Sequence, residues 1–249
     1  MAGVRDVARL VLPVECPGCG RWDVRWCDTC VAVLDGPVRR CEERVPRLDR
    51  LDGTAPLPVW TAADYVGPVR GLVLAWKDRD RADLTRIMVR AAGRVGAASA
   101  ATLGPAAAGE PLRLVPVPSS PAARRRRGAD LVRELAEGAA QGLREHGVVA
   151  DVLPSLARRR GGRDQVGLGV RARGRNTAGS VRVRPSHARG TPGALHVLVD
   201  DVVTTGSTLV ACERVLSGSG GLVLGALVLA ATPPPSDRDV TLLSEVTKR

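Results

Sequence analysis

The sequence predicts an α/β protein: a mainly parallel sheet with flanking helices, preceded by a small cysteine-bearing module. Three observations predict it. Apolar runs at Leu112–Val117, Val197–Val199 and Leu222–Leu229 are short and continuous, the pattern of strands buried on both faces. The run at Val197–Val199 leads through Asp200 and Asp201 into small hydroxyl residues and a glycine, just before a helical segment at Leu209–Leu216. Near the N-terminus, Cys16-x-x-Cys19 and Cys27-x-x-Cys30 stand close together, a spacing that can close a tetrahedral thiolate site.

Taken in order, Val4–Leu12 carries apolar residues at helical spacing and is stopped by Pro13. The two cysteine knuckles follow. A structural Zn²⁺ site is the favoured reading, because the chain reads as cytoplasmic and reducing compartments disfavour disulfides; redox and disulfide readings stay open. Such a site is closed, so it stabilises rather than catalyses. Cys41 has no partner knuckle and reads as an unpaired small residue. Arg39–Pro58, rich in Pro, Arg and Asp, reads as a linker. Trp60–Val66 is a strand, Gly67–Trp76 a helix with Val69, Leu72, Val73 and Trp76 on one face, and Leu84–Ala101 an alanine-rich helix. Leu103–Pro111 reads as a loop.

After the strand Leu112–Val117, the prolines at 116, 118 and 121 predict an extended, irregular loop. The run Arg124–Arg127 and Gly128 then open a helix, Ala129–Arg144. Val148–Leu153 is a further strand. Leu156–Asn176 is basic and glycine-rich, and two readings stand: arginines that fold over a bound anion, or a disordered basic loop. Pro233–Pro235 ends the fold and Ser236–Arg249 reads as a tail. The expected organisation is an N-terminal helix and zinc ribbon over 1–45, a linker over 46–58, the α/β domain over 59–235 and a tail over 236–249. His146, His187 and His196 lie apart, without ligand spacing, and read as incidental.

The segment after Val199 is a candidate anion cradle. Gly206 lets the backbone turn sharply and come close to a ligand. Thr204, Thr205, Ser207 and Thr208 offer hydroxyls and amides at a helix N-terminus, where the macrodipole favours anions. Asp200 and Asp201 stand at the carboxyl end of a strand, where ligands of open α/β sheets bind. Adjacent carboxylates there suit ribose hydroxyls or a hydrated Mg²⁺. No Gly-Lys-Ser/Thr follows, so this is not a Walker loop.

The chain carries a formal charge of +11, and its lysines are Lys77 and Lys248, the remaining basic residues being arginine. Four thiolates around one Zn²⁺ would lower the charge to about +9. That balance favours nucleic acid or small phosphorylated ligands. Trp22, Trp26, Trp60, Tyr65 and Trp76 are its aromatic residues, which weakens a single-strand site built on stacking. No apolar run reaches the ~18–20 residues of a membrane span. Arg5, Asp6 and Arg9 interrupt the N-terminal apolar residues, so no signal peptide is read there and the expected location is cytoplasmic.

The strand, acid pair and Thr-Thr-Gly-x-Thr order resembles the phosphoribosyl-diphosphate (PRPP) motif of type I phosphoribosyltransferases. More of the chain resembles the ComF family, also called ComFC- or GntX-like, in which a zinc ribbon precedes a phosphoribosyltransferase domain. The matching pieces are Cys16, Cys19, Cys27 and Cys30, then Tyr65–Arg70 with Lys77, Val115–Pro118, Arg127–Gly128, Gln165 to Asn176, and the cradle. Ala129–Asp130–Leu131 departs from the family's Phe-Asn-Gln, Cys41 stands alone where many members carry a second knuckle, and Asp78 replaces an aromatic residue.

The resemblance implies a type I phosphoribosyltransferase fold. It places the 5′-phosphate of PRPP on Thr204–Thr208 and the ribose hydroxyls on the catalytic pair Asp200 and Asp201, directly or through Mg²⁺. It places the diphosphate on Pro118, Ser119, Arg124 and Arg127, with Arg173 and the stretch 158–176 closing over it. It implies transfer to a nitrogen acceptor, with two alternatives from other classes. One is a competence factor that binds single-stranded DNA alongside DNA-uptake proteins. The other is a sensor of PRPP or another phosphorylated nucleotide that has lost turnover. In the resembling salvage enzymes for 6-oxopurines the first cradle position is typically aspartate; Thr204 stands there and cannot act as a carboxylate base.

Overall fold

The computed structural model describes residues 14–48, 54–159, 181–187 and 192–234. The helix expected at Val4–Leu12, the tail after 235, and most of the basic stretch 156–176, including Arg173, lie outside the described residues. The architecture is a mixed α/β fold around a six-stranded, mostly parallel sheet. Its strands are β1 (Arg39–Arg40), β2 (Val59–Asp64), β3 (Leu112–Pro116), β4 (Ala150–Val152), β7 (Leu195–Val203) and β8 (Leu222–Ala231). They lie in the order β1-β2-β8-β7-β3-β4, and β1 alone runs antiparallel to its neighbour. A separate hairpin joins β5 (Leu156–Arg158) to β6 (Val181–Val183).

The helices are α1 (Asp28–Ala32), α2 (Gly67–Asp78), α3 (Thr85–Ala107), α4 (Pro121–Arg127), α5 (Leu131–Glu145) and α6 (Ser207–Ser217). Period-two alternation along the central strands sends Leu112, Leu114, Val197, Val199, Leu227 and Leu229 into a core with α2, α3 and α5. The intervening Val115, Leu198, Ala226 and Val228 enter a second core with α6 and the hairpin. Burial on both faces is why these strands read as continuous apolar runs.

Three differences from the sequence reading have local causes. Helix α3 runs on to Ala107 through Pro105, because Leu103 and Ala107 are buried against the sheet and a proline this near the end forfeits little ladder bonding. Pro121 starts a helix rather than prolonging a loop; proline is pre-organised for the first helical position. Gly128, at φ +67, then separates α4 from α5. Within the segment read as a linker, Arg39–Arg40 pairs with Trp60–Thr61 of β2, and Val45, Leu48 and Leu57 are buried.

Helices α3 and α5 approach closely enough to need glycine. A methyl built on Gly142 would collide with the Gly93 carbonyl oxygen and lie 2.8 Å from the Ala97 nitrogen. A methyl on Gly96 would meet the carbonyl oxygen of Ala139. Intrinsic propensity favours Gly142→Ala by about 1 kcal/mol, whereas forced overpacking costs about 1–3 kcal/mol. Packing wins, so Gly142→Ala is expected to lower the melting temperature by several degrees. A raised melting temperature in that variant would show that the helices are not held this closely.

Candidate functional site

Strand β7 extends beyond the expected Val199 to Val203, so Asp200 and Asp201 belong to its carboxyl end. Each carboxylate is fixed locally: Asp200 Oδ1 accepts from the Asp201 amide at 2.9 Å, and Asp201 Oδ1 from the Val202 amide at 2.7 Å. The last turn of α2 delivers Lys77, whose Nζ lies 2.6 Å from Asp201 Oδ2. Burial works against the Lys77 charge, but Asp201 and then Asp200 outweigh it and raise its pKa, so the ammonium persists at neutral pH. Burial and the neighbouring Asp201 charge together push Asp200 well above the ordinary carboxylate range, with Lys77 opposing them.

The loop after β7 turns at Gly206, which has φ +79 and stands at the N-cap of α6. Thr204 and Thr205 are exposed there, and Ser207 and Thr208 are half-buried. The Thr205 and Ser207 hydroxyls lie 3.1 Å apart. Beneath the turn lies the strap 41–48. Arg47 donates its amide to the Thr205 carbonyl at 3.0 Å. A side chain on Gly206 would come within 2.6 Å of Val45 and 3.1 Å of Leu48. The cradle therefore rests on residues that sequence reasoning assigned to the end of the cysteine module and a linker.

On the adjacent strand, the Val117 amide donates to the Val199 carbonyl at 2.8 Å, which starts the loop of Pro118 and Ser119 beside the acid pair. Arg158 donates to the Pro118 carbonyl at 3.1 Å. The arginine run forms α4. Arg124 pairs with Asp130 at 3.3 Å, Arg125 and Arg126 are exposed, and Arg126 reaches Asp78 at 3.9 Å. Thus the acid pair, the cradle and the Pro118 loop meet at the carboxyl ends of β3 and β7, and the Arg126–Asp78 pair ties α4 to the end of the helix carrying Lys77. Lys77 was visible in the sequence only as a matching position; its rarity in an arginine-rich chain was the signal.

The four knuckle thiols lie within 4.8 Å of one another. Two of their separations are 3.8 Å (Cys16–Cys27) and 3.7 Å (Cys19–Cys27). A tetrahedron with ~2.3 Å metal–sulfur arms has edges of about 3.8 Å, so these residues fit a metal such as zinc. Burial raises the Cys16 thiol, but backbone hydrogen bonds at Cys19, Cys27 and Gly18 outweigh it and bring it to about 6. The module is docked firmly. A side chain on Gly71 of α2 would strike the Pro17 carbonyl, and Arg94 donates to the Leu34 and Gly36 carbonyls at 2.9 and 3.0 Å. Cys41 and Cys212 are free and buried, and burial pushes Cys41 to about 11.

No family model matches the chain, and no curated protein matches it. Among solved structures it is similar to UMP synthase of Leishmania donovani, with a TM-score of 0.32 and 16% identity over 87% of this chain and 33% of that one. The chain thus spans about a third of that enzyme's length. Fold and site together define an α/β protein with an acid pair and a hydroxyl-rich, glycine-turned loop at the carboxyl edge of its sheet.

Two outcomes are expected. Protein purified without chelator should carry one zinc per chain, and removing it should lower the melting temperature; metal-free protein with readily alkylated Cys16 and Cys30 would contradict this. A double-mutant cycle of Lys77→Met and Asp201→Asn should give a coupling of about 1–3 kcal/mol in chemical denaturation. That lies below the ~3–5 kcal/mol lost on breaking a fully buried pair, because 32% of the Lys77 side chain is exposed. A coupling under about 0.5 kcal/mol would place the pair with ordinary surface ion pairs.

Proposed function

We propose that the protein binds PRPP with Mg²⁺ at this edge and transfers its phosphoribosyl group to a nitrogen acceptor, as a ComF-like phosphoribosyltransferase. The observation that carries the reading is the order along one strand and turn: Asp200, Asp201, then Thr204–Thr208 turning at a left-handed Gly206 into a helix N-terminus. Amides and hydroxyls there suit a phosphate, and carboxylates three and four residues before Thr204 suit the ribose of the same ligand. The Pro118–Ser119 loop and Arg124 and Arg127 of α4 are then assigned to the diphosphate end in this reading.

In the reaction, a nitrogen lone pair forms the bond to C1′ of PRPP. The C1′–oxygen bond breaks, diphosphate leaves with the electron pair, and the nitrogen loses its proton to solvent. Mg²⁺, when bound with PRPP by the acid pair, would neutralise the phosphate charge. The protein's own part is positional and electrostatic. Asp200 and Asp201 orient the ribose, and the arginines stabilise charge developing on the leaving group. Lys77 keeps Asp201 from repelling the anionic ligand at full strength.

The zinc ribbon, the cytoplasmic location and closure by Arg173 belong to the same reading. A second reading, binding of single-stranded DNA, is favoured by the exposed guanidinium groups of Arg125 and Arg126 on α4. The scarcity of aromatic residues weighs against it.

Calorimetry with PRPP–Mg²⁺ and with oligo-dT, beside a turnover assay with ammonia, amines and bases, tests the reading. PRPP–Mg²⁺ is expected to bind. Asp201→Asn should weaken it about ten- to a hundredfold, the loss of a charged hydrogen bond. Folded Gly206→Val should weaken it further, and no IMP or GMP should form, since Thr204 offers no carboxylate base. Undiminished affinity in both variants would refute the assigned cradle. Salt-dependent binding of oligo-dT without PRPP binding would move the function to the second reading.

A further inference from the structure

The backbone of the first cysteine knuckle lies directly on α2. A methyl built on Gly71 would come within 2.0 Å of the Pro17 carbonyl oxygen and 3.2 Å of the Gly18 Cα. A methyl on Gly18 would meet Cys30 Sγ at 2.8 Å and Pro68 Cβ at 3.3 Å. Pro17 and Gly18 are the two residues between Cys16 and Cys19. The segment flanked by two of the clustered thiols is therefore the segment against which the start of α2 rests. A second contact lies past the other end of the helix. The Arg81 guanidinium donates to the carbonyl of Arg25, two residues before Cys27, at 2.8 Å. The Arg81 amide donates to the Ala75 carbonyl, in the last turn of α2, at 3.3 Å. The cysteine module thus holds this helix at both ends.

Helix α2 has physical reasons to depend on these contacts. Its N-cap residue, Val66, makes no side-chain cap hydrogen bond. Glycine, a poor helix former, occupies positions 67 and 71. Twelve residues are too few to hold a helix alone. Burial of Val69, Leu72, Val73 and Trp76 keeps α2 on the core, but apolar packing is non-directional and does not by itself fix where the helix stops along its axis.

The last turn needs such a stop. Lys77 stands six residues after Gly71, about 9 Å along the axis at ~1.5 Å per residue. Its Nζ lies 2.6 Å from one oxygen of Asp201, a residue only 5% exposed. The other oxygen of that carboxylate accepts from the Val202 amide and cannot turn to follow a displaced lysine without giving up that bond. An ion pair this short tolerates little axial drift of the helix that supplies its cation.

We propose that the cysteine module is a positioning element for Asp201: by fixing both ends of α2 it sets Lys77 on that carboxylate, so metal binding at the four thiols and ligand binding at the acid pair are linked. A metal draws Cys16 and Cys19 into one coordination shell and fixes the Pro17–Gly18 backbone between them. Gly71 and Pro68 take up that position, and the helix carries it to Lys77. Without the metal α2 loses its stop, and Asp201 loses a well-placed counter-ion. Linkage is reciprocal, so a ligand that binds the metal-loaded chain better also holds the metal more tightly. The ligand half of the proposal rests on the PRPP reading; the Lys77 half does not.

The chain's lysines are Lys77 and Lys248, which makes acylation of Lys77 a readout of this one contact. The full chain, loaded with Zn²⁺ or stripped with a chelator, is treated with acetic anhydride at one fixed pH. Mass spectrometry follows Lys77, with Lys248 as the reference. Stripping should speed acylation of Lys77 at least fivefold, while amide exchange in α5 stays level. Gly71→Ala keeps all four thiols and pushes the knuckle off the helix; with zinc bound, it should speed Lys77 acylation at least threefold. This variant carries the test should the stripped chain unfold. PRPP–Mg²⁺ should bind the stripped chain at least fivefold more weakly by calorimetry, and should slow zinc loss to a chromogenic chelator by a similar factor. Unchanged Lys77 acylation in Gly71→Ala would overturn the proposal, as would a rise matched by faster exchange throughout α5, the mark of general loosening. Equal PRPP affinity for loaded and stripped chains would overturn the link to ligand and leave the PRPP reading standing. No PRPP binding by the loaded chain, with Lys77 acylation still following the metal, would overturn the PRPP reading and support the positioning role.

Discussion

The burial of β7 on both faces is the constraint on which the rest depends. Val197 and Val199 face one core and Leu198 the other, so solvent cannot answer the polar side chains this strand carries. Each must be met by a neighbour or left at a strand end. Thr61 on β2 shows the simple solution: its hydroxyl lies 2.9 Å from the Ala63 carbonyl and 3.4 Å from that of Leu229. Asp201 takes the costlier one, a lysine brought in by α2. His196, near the opposite end, is buried, and its Nδ1 has no hydrogen-bond partner among the described residues. The polar features of this strand therefore concentrate at its two ends.

The cysteine module and the acid pair are linked through the same helix. Pro17 lies against Gly71 of α2, and Arg81, just beyond that helix, donates to the Arg25 carbonyl at 2.8 Å. Six residues after Gly71, the helix presents Lys77 to Asp201. The strap leaving the module then passes through β1 and supports the cradle from below, with Glu42 accepting from the Val59 amide at 3.1 Å on the way. One module thus touches the helix that carries the acid pair's counter-ion and the underside of the turn at Gly206. A metal closing the four thiols would stiffen both contacts at once, because the module has little core of its own beyond Leu34, Val31 and the cysteines.

The sequence made legible what depends on local pattern. Continuous apolar runs marked β3, β7 and β8, because two-sided burial leaves no polar alternation to confuse them. The acid pair and Gly206 were visible because their chemistry is carried by adjacent residues. What stayed hidden depends on contacts between distant segments. The strap 41–48 looked like a linker, since its two glutamates, two arginines and proline outweigh the two apolar residues, Val45 and Leu48, that seat it. The ion pair of Lys77 with Asp201 spans 124 positions and has no local signature.

The choice of lysine at position 77 follows from the geometry of Asp201. In a chain whose cations are otherwise nearly all arginine, an arginine there would be the compositional default. A guanidinium would engage both carboxylate oxygens through its fork. An ammonium is a point charge: it sits on Oδ2, while Oδ1 receives the Val202 amide. Each carboxylate oxygen accepts in two lone-pair directions, so each retains one for a hydroxyl or a hydrated cation. Lysine therefore neutralises the acid without using it up. In a strand buried on both faces, that division of the carboxylate neutralises its charge and leaves acceptor capacity on both oxygens.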